Sequence, residues 1–342
     1  MDSAPNEHSG PTSSAGDFLR VQRDIERGHL LVRVQSLALI TVTGPDRLTW
    51  LNSLITQDIL GLEPGNTSES LLLSPQGRIE HAFFVSDDGV TTWLLTTRSH
   101  RDALFQWLCS MVFRMNVEVT IPDGVTVVAG TSRTALAAAG EEVVVFEDYW
   151  PRVQPGSVGY ASEPHPGDAW SLLYGVFLDE TLVATSELWP SAEPLEALSI
   201  AAARPTMVDV DTIALPHELD WLRSAVHLNK GCYRGQETVA KVHNLGHPPR
   251  RLTLLHLDGS ASLLPEPGDK VFHGETQVGH ITRAAWHYEQ GPLALALLKR
   301  NTPVDVTLSV LHDEGNIPAH QEVIVPPDAG STRDIPRLGR LR

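Results

Sequence analysis

Residues 229–241 read N-K-G-C-Y-R-G-Q-E-T-V-A-K, so a cysteine, two glycines, a lysine, a tyrosine, a glutamine and a glutamate share one short segment. Gly231 and Gly235 flank Cys232, and glycine accepts a positive φ or a close approach of a ligand to the backbone. The pattern predicts a bent loop that holds the Cys232 sulfur out toward a cavity between lobes.

The residues beside Cys232 favour a reactive thiol. A cysteine acts as a nucleophile or ligand through its thiolate, which nearby cations stabilise. Lys230 and Arg234 lie two residues on either side of the sulfur. The alternative is a small buried hydrophobic residue, the usual fate of a free cysteine, and Cys109 in its apolar helical pattern fits that alternative.

The motif K-G-C-Y-x-G-Q-E, followed by V-A-[KR] that we predict as a strand, resembles the signature of the YgfZ family. These are folate-binding proteins that support iron-sulfur cluster assembly or repair, and they are related to the glycine-cleavage T-protein, an aminomethyltransferase. G-P-D at residues 44–46, T-Q-D at 56–58 and S-P-Q-G-R at 74–78 resemble the N-terminal pattern of the family. The resemblance covers about residues 30–300.

Composition limits the class of protein. A chain of 342 residues usually forms more than one domain, and 42% hydrophobic with 20% charged residues is typical of a globular protein. The net charge of -16 disfavours nucleic-acid binding unless a basic patch exists. The candidate patch is the Arg-rich end at 333–342, which is more typical of a solvated terminus.

We expect a cytoplasmic protein that does not cross a membrane. Two cysteines cannot form a disulfide framework, and the sequence starts without the apolar stretch of a secretory signal. Its apolar runs are much shorter than the ~20 residues that span a bilayer. Residues 1–16 are rich in Ser, Pro, Gly and Asn, and we expect them to be disordered.

Hydrophobic periodicity predicts an α+β protein. A strand is indicated at 37–43, a helix from Asp46, a hairpin at Asp88-Gly89 and a helix whose capping box is Ser99 to Asp102. After Lys241, five short strands separated by Gly, Pro and Asp suggest a small β-barrel or sandwich.

The resemblance implies a T-protein-like fold with two α+β portions and a C-terminal β-barrel around a central channel. The sequence divides accordingly into five predicted ranges. They are a disordered N-terminus at 1–28, a first α+β portion at 29–120, a second portion with the cysteine loop at 121–243, the barrel at 244–326, and a flexible tail at 327–342.

Tetrahydrofolate or a related folate is the cofactor that the resemblance implies. Glu218, in Pro216-His217-Glu218, resembles the element that hydrogen-bonds the pterin, whose adjacent donors and acceptors suit a carboxylate. Arg204 has the fork geometry for the glutamate tail of folate. The resemblance also assigns Gly235, Gln236 and Glu237 to the cofactor, and Lys230 and Tyr233 to the reaction of Cys232.

Two departures from the family pattern stand out. The family motif E-A-G-x-P is A-A-A-R-P at 201–205, so a carboxylate and a glycine are missing. Leu37 and Leu195 occupy positions where better-known bacterial members carry aromatic residues against the folate. These differences indicate weaker folate binding or a different ligand.

The first functional hypothesis is a folate-dependent factor for iron-sulfur client proteins, with Cys232 as the reactive thiol. Stable cluster ligation normally takes four cysteine or histidine ligands, so two distant cysteines predict no resident cluster. The second is one-carbon transfer to or from tetrahydrofolate by an aminomethyltransferase or a demethylase-like enzyme. That chemistry needs a carboxylate near the folate nitrogen, for which Asp46 and Asp58 are candidates, although each also suits a helix end.

Two further hypotheses have less support. Cys232, His243 and His247 have the C-x10-H-x3-H spacing of a zinc site, but a fourth ligand is not evident. The resemblance instead places His243 at the mouth of the pocket. A scaffold or transfer-RNA-binding role is disfavoured by the net charge, although relatives of the family are linked to transfer-RNA modification through iron-sulfur enzymes.

Overall fold

The computed structural model describes residues 15–161, 163–179, 181–182, 188–189, 191–313 and 315–332. In these ranges the α-helices are α1 (Ala15–Glu26), α2 (Arg47–Leu54), α3 (Arg98–Ser110), α4 (Arg133–Ala139), α5 (Glu193–Ala201) and α6 (Gln236–Leu245). Short 3₁₀ helices lie at Pro166–Ala169, Met207–Asp209 and Pro216–Leu219.

The strands of the N-terminal half are β1 (Leu31–Arg33), β2 (Leu37–Thr43), β3 (Thr67–Leu73), β4 (Ile79–Asp87), β5 (Thr91–Thr97), β6 (Glu118–Thr120), β7 (Val125–Gly130), β8 (Glu142–Glu147), β9 (Leu173–Leu178) and β10 (Leu188–Trp189). Those of the C-terminal part are β11 (Arg250–Leu257), β12 (Lys270–His273), β13 (Thr276–His287), β14 (Gly291–Lys299), β15 (Leu308–His312) and β16 (Gly315–Val323).

The first sheet has the order β3-β4-β5-β2-β6. The predicted β4–β5 hairpin is confirmed: Gly89 has φ +94°, and the Asp88 side chain accepts hydrogen bonds from the backbone N–H groups of Val90 and Thr91. Helix α3 packs on this sheet through the buried Leu104 and Leu108. Its predicted capping box is wrong, because the helix begins at Arg98 after Thr97.

The second sheet has the order β10-β1-β7-β9-β8, and it includes a strand from the beginning of the chain. Strand β1 pairs with β7 in antiparallel register, Val32 facing Ala129. The second sheet therefore takes its strand β1 from the range predicted to form the first α+β portion.

Strands β11 to β16 form a closed barrel in the order β11-β14-β13-β12-β15-β16, which confirms the prediction of a C-terminal barrel. Leu255, Val271 and Ile281 are among the buried residues of its core. Strand β16 escaped prediction because Pro318 and alternating polar residues weaken its β pattern.

The prediction of disorder up to residue 28 is wrong for α1, and residues 1–14 lie outside the described ranges. Val21 and Ile25 are buried against the second sheet and α5. Gln22 donates from Nε2 to the Trp286 carbonyl and accepts at Oε1 from the Tyr288 N–H. The helix therefore bridges an α+β portion and the barrel.

The V-A-K segment of the cysteine motif was predicted as a strand, but it lies in α6. Gly235 takes φ +85° at the N-cap of this helix, and Val239 is its buried residue. At the C-terminal end of α6, the Thr332 N–H donates to the His243 carbonyl.

The predicted basic patch at 333–342 lies outside the described residues. No helix in the described ranges is long and apolar enough to span a membrane.

Candidate functional site

A cavity of about 500 Å³ lies between the two sheets. Strands β2, β4 and β5 supply one wall, β9 and α5 supply the other, and Arg283 of the barrel reaches the same space. This volume lies in the range of small-molecule sites. The three parts of the fold thus enclose a ligand-sized space.

Aromatic side chains form part of the wall of the cavity. Phe84 of β4 and Tyr174 of β9 approach from opposite sheets, with ring centroids 5.5 Å apart. Trp170 and Trp221 also line the space. Such a wall suits a flat, aromatic ligand, since aromatic rings favour offset or tilted contacts with one another.

A buried ion-pair network forms one side of the cavity. Arg204 Nη2 lies 2.7 Å from Glu69 Oε1, and Arg204 Nε lies 2.9 Å from Asp148 Oδ2. Its guanidinium carbon also lies 5.0 Å from the centroid of the Trp150 ring. Arg204 lines the cavity, but two buried carboxylates already balance its charge.

Glu69 is a cavity residue that the sequence did not single out. Its Oε1 also accepts from Trp221 Nε1 at 2.9 Å, and its Oε2 accepts from Ser224 Oγ at 2.6 Å. Burial raises the pKa of this carboxyl, and Arg204 opposes that effect. A glutamate two residues before the apolar run Leu71–Leu73 was the available signal, because charged residues are seldom buried unless paired.

The barrel contributes Arg283, whose guanidinium is also fully engaged. Arg283 Nη2 lies 2.9 Å from Asp209 Oδ2 and donates to the Arg204 carbonyl, and Arg283 Nη1 donates to Ser199 Oγ. This side chain fastens the barrel to α5 and to the 3₁₀ helix at Met207–Asp209. Its charge is neutralised within the protein.

Two predicted residues, Leu37 of β2 and Leu195 of α5, line the cavity. Both are aliphatic, so neither supplies the aromatic surface that better-known bacterial members are expected to have there. The missing glycine of the A-A-A-R-P segment corresponds to Ala203, which takes the left-handed conformation at φ +49°. This conformation is rare for residues with a Cβ, so the backbone retains the geometry that glycine favours.

Glu218 does not line the cavity, which contradicts its predicted contact with a pterin. The carboxylate is fully buried, accepts from the Leu215 N–H, and lies 2.8 Å from Arg250 Nη2. Arg250 begins the barrel strand β11 and also pairs with Asp211. Glu218 therefore joins the 3₁₀ helix at Pro216–Leu219 to the barrel.

Lys230 is bound to the protein backbone and is not free to act on a substrate. Its Nζ donates to the carbonyl oxygens of Asn52, Ile55 and Gln57 at 2.7, 2.9 and 2.6 Å. These acceptors lie at and just after the end of α2. Lys230 thus ties the cysteine loop to the first α+β portion, and Lys230 Nζ also lies 5.6 Å from the Tyr233 ring centroid.

Gly235 packs against the S-P-Q-G-R turn, and Arg234 pairs with the start of β4, which follows that turn. Arg234 Nη1 lies 2.6 Å from Glu80 Oε2, so this cation is also committed elsewhere. A Cβ on Gly235 would lie 2.6 Å from the Ser74 carbonyl oxygen, and one on Gly77 would lie 2.7 Å from Thr238 Cβ. The two motifs that carry the resemblance therefore pack directly against each other.

Cys232 is exposed, but the cavity lining does not include it. The loop thus holds this sulfur out of the packed interior, as a reactive thiol requires, but outside the lining of the cavity between the two sheets. Tyr233 is buried, Gln236 donates from Nε2 to the Lys230 carbonyl, and Glu237 is exposed. Neither these residues nor Gly235 lines the cavity. The cysteine motif and the cavity are two separate sites.

The residues of the alternative hypotheses are also dispersed. His243 Nδ1 lies 3.0 Å from the Tyr160 hydroxyl, and His247 Nδ1 lies 2.8 Å from the Ala329 carbonyl oxygen. Among the described residues, no group of three or more His, Cys, Asp or Glu side chains has the geometry of a metal site. Asp46 accepts from the Asn116 N–H, and neither Asp46 nor Asp58 lines the cavity.

Comparison with known proteins confirms the resemblance to YgfZ proteins. The chain is 25% identical over 302 residues to the tRNA-modifying protein YgfZ of Klebsiella pneumoniae, covering 84% of this chain and 90% of that protein. It is 26% identical over 308 residues to the tRNA-modifying protein YgfZ of Cronobacter sakazakii, covering 83% and 88%. No family model matches the chain.

The predicted T-protein-like fold is confirmed as well. The glycine cleavage system aminomethyltransferase T of Bartonella henselae superposes with a TM-score of 0.69 and 17% sequence identity. The superposition covers 91% of this chain and 89% of that protein. At this identity the likeness establishes the fold.

Proposed function

We propose that this protein binds tetrahydrofolate or a related folate in the cavity between the two sheets, and supports assembly or repair of iron-sulfur clusters in client enzymes. The cavity itself carries the proposal. It has a suitable volume, aromatic rings from both sheets, and a buried carboxylate, Glu69, on its wall. The similarity to YgfZ proteins is the second support.

The residues of the cavity fit a pterin in chemical terms. A pterin combines a flat ring with an edge of adjacent donors and acceptors, so it needs an aromatic wall and a polar anchor. The wall residues Phe84 and Tyr174 meet the first need. Glu69 Oε2 receives one protein donor and keeps capacity for another, which meets the second.

The proposed thiol chemistry belongs to the outer surface of the protein. Cys232 is exposed outside the cavity lining, which supports contact with a client protein more than contact with the bound folate. The charges of Lys230 and Arg234 are engaged by backbone carbonyls and by Glu80, so they give the thiolate no dedicated partner. The iron-sulfur role of Cys232 therefore depends on its exposure and on the family resemblance.

Titration with tetrahydrofolate, followed by intrinsic tryptophan fluorescence and by calorimetry, tests the binding. Because Trp170 and Trp221 line the cavity, saturable quenching with a stoichiometry of one is expected. Leu37→Trp should tighten binding roughly two- to tenfold, since an aromatic pair contributes about 0.5–1.5 kcal/mol. Leu311→Trp, on the exposed face of the barrel, is the matched control and should leave the affinity unchanged. The absence of saturable binding would refute the proposal.

Rescue of iron-sulfur enzyme activity, in cells that lack their own protein of this kind, tests the thiol. Cys232→Ser should abolish rescue while folate binding persists. Cys109→Ser removes the other exposed cysteine and should rescue fully. Equal rescue by the two variants would eliminate Cys232 as the reactive group.

A further inference from the structure

The mouth of the cavity is negatively charged. The exposed lining residues mark where the cavity meets solvent, and they are Gln35, Ser36, Glu193, Glu196 and Val208. Both charged members of this set are glutamates in the first turn of α5. The N-terminus of a helix stabilises carboxylates, which accounts for their place in the fold but leaves their charge at the mouth.

The cations inside the cavity do not offset this charge. Arg204 is paired with Glu69 and Asp148, and Arg283 is paired with Asp209. The positive charges of their guanidinium groups are thus balanced by buried carboxylates of the protein itself. An anionic ligand gains little from either residue.

Arg33 of β1 is the remaining cation of the described lining. It is half-buried, its Nη1 lies 3.5 Å from Thr126 Oγ1, and it forms no ion pair within the described ranges. A planar guanidinium in this state can bind one carboxylate in a fork. The cavity therefore offers one cationic contact to a ligand, together with two exposed anions at its mouth.

We propose that the mouth makes the cavity selective for a folate with a single glutamate, Arg33 binding its tail and Glu193 with Glu196 repelling longer tails. This inference rests on the proposed folate binding. Each further γ-linked glutamate adds one negative charge near the mouth. Repulsion between exposed charges is modest and is screened by salt, with a Debye length of about 8 Å at physiological ionic strength.

Calorimetric titration of the full-length protein with the mono-, tri- and pentaglutamate forms of tetrahydrofolate tests the selectivity. At low salt we expect the pentaglutamate to bind about three- to tenfold more weakly than the monoglutamate. The ratio should approach one in about 0.5 M sodium chloride, because screening removes a charge effect.

The double variant Glu193→Gln and Glu196→Gln should lose the preference at low salt. A matched double variant, Glu118→Gln and Glu275→Gln, removes two exposed carboxylates outside the cavity lining and should keep it. Tighter binding of the pentaglutamate by the wild-type protein, or an unchanged ratio in the first double variant, would overturn the inference alone. Failure of all three folates to bind would overturn the proposed function, and this inference with it.

Discussion

The cysteine motif and the cavity differ in what their residues do. In the motif, Lys230, Arg234 and Gly235 all contact the first α+β portion, so most of the segment acts as a joint between parts of the fold. The cavity holds the ligand-sized space, yet its aromatic rings and Glu69 come from segments outside the motifs that carry the family resemblance. A sequence signature can therefore mark the joint that assembles a binding site and not the site itself.

The largest expected effect tests Glu218 as part of the joint. Glu218→Ala removes the buried partner of Arg250 but leaves its pairing with the more exposed Asp211, so we expect a loss of about 3 kcal/mol, the lower end of the cost of breaking a buried ion pair. The free energy of unfolding, measured with urea, should fall by this amount, while folate affinity of the folded fraction stays the same. A loss of folate affinity with an unchanged free energy of unfolding would show that Glu218 is part of the binding site.

The pH dependence of stability tests His217, which is fully buried beside α6. Its Nε2 lies 3.0 Å from the Val239 carbonyl oxygen, and burial lowers its pKa to about 4. Between pH 6.5 and 4, His217 is protonated in the unfolded state but stays neutral in the folded state. Acidification over this range therefore lowers the free energy of unfolding by about 3 kcal/mol through this residue. Asp220 acts in the opposite direction, because burial raises its pKa to about 7.

Urea unfolding at pH 4.5, 5.5 and 6.5 separates the two residues. His217→Gln should lower the slope of stability against pH by up to about 1.4 kcal/mol per pH unit near the middle of this window, since the titrating group is gone. The glutamine amide keeps a donor for Val239. An unchanged slope would show that His217 does not titrate as its burial requires.

Alanine substitutions at the two glycines of the motif should differ in their effect on stability, and both effects should be smaller than that of Glu218→Ala. Gly235→Ala places a Cβ 2.6 Å from the Ser74 carbonyl at φ +85°, so it should lower stability by about 2 kcal/mol. Gly231→Ala enters open space and should change stability by less than about 0.5 kcal/mol. Similar values for the two variants would contradict the close packing of the loop on the S-P-Q-G-R turn.

The smallest expected effect on stability is that of Cys232→Ser. Cys232→Ser changes one atom of an exposed side chain, so the free energy of unfolding should stay within about 0.5 kcal/mol of the wild type. Folate affinity should also be unchanged. A clear decrease in folate affinity, measured by calorimetry, would show that Cys232 contributes to the folate site.

The fold was largely predictable because its signals are local. The Asp88-Gly89 hairpin, the strand β2 and most of the short barrel strands follow from turn chemistry and hydrophobic alternation. The helix α6 was missed because V-A-K has an ambiguous pattern, and its helical state depends on the N-cap at Gly235. Local pattern also gave no sign that β1 would pair with β7, about 95 residues later.

The candidate site was less predictable because its contacts are remote in sequence. Lys230, Arg204 and Glu218 have the right chemistry for a ligand, but their partners lie 178, 135 and 32 residues away. Charge neutralisation by such partners is invisible in one sequence. Glu69 shows the same limit, because only the fold brings Trp221 and Ser224 to it.

The hydrogen bonds that join Gln22 of α1 to Trp286 and Tyr288 of the barrel can form only late in biosynthesis. The ribosome delivers α1 more than 260 residues before its barrel partners, so the helix lacks these contacts until those partners emerge. Nascent chains truncated before residue 288 should expose α1 to protease more than chains that include the whole barrel. Helix α1 therefore gains its contacts with the barrel only after residue 288 has emerged.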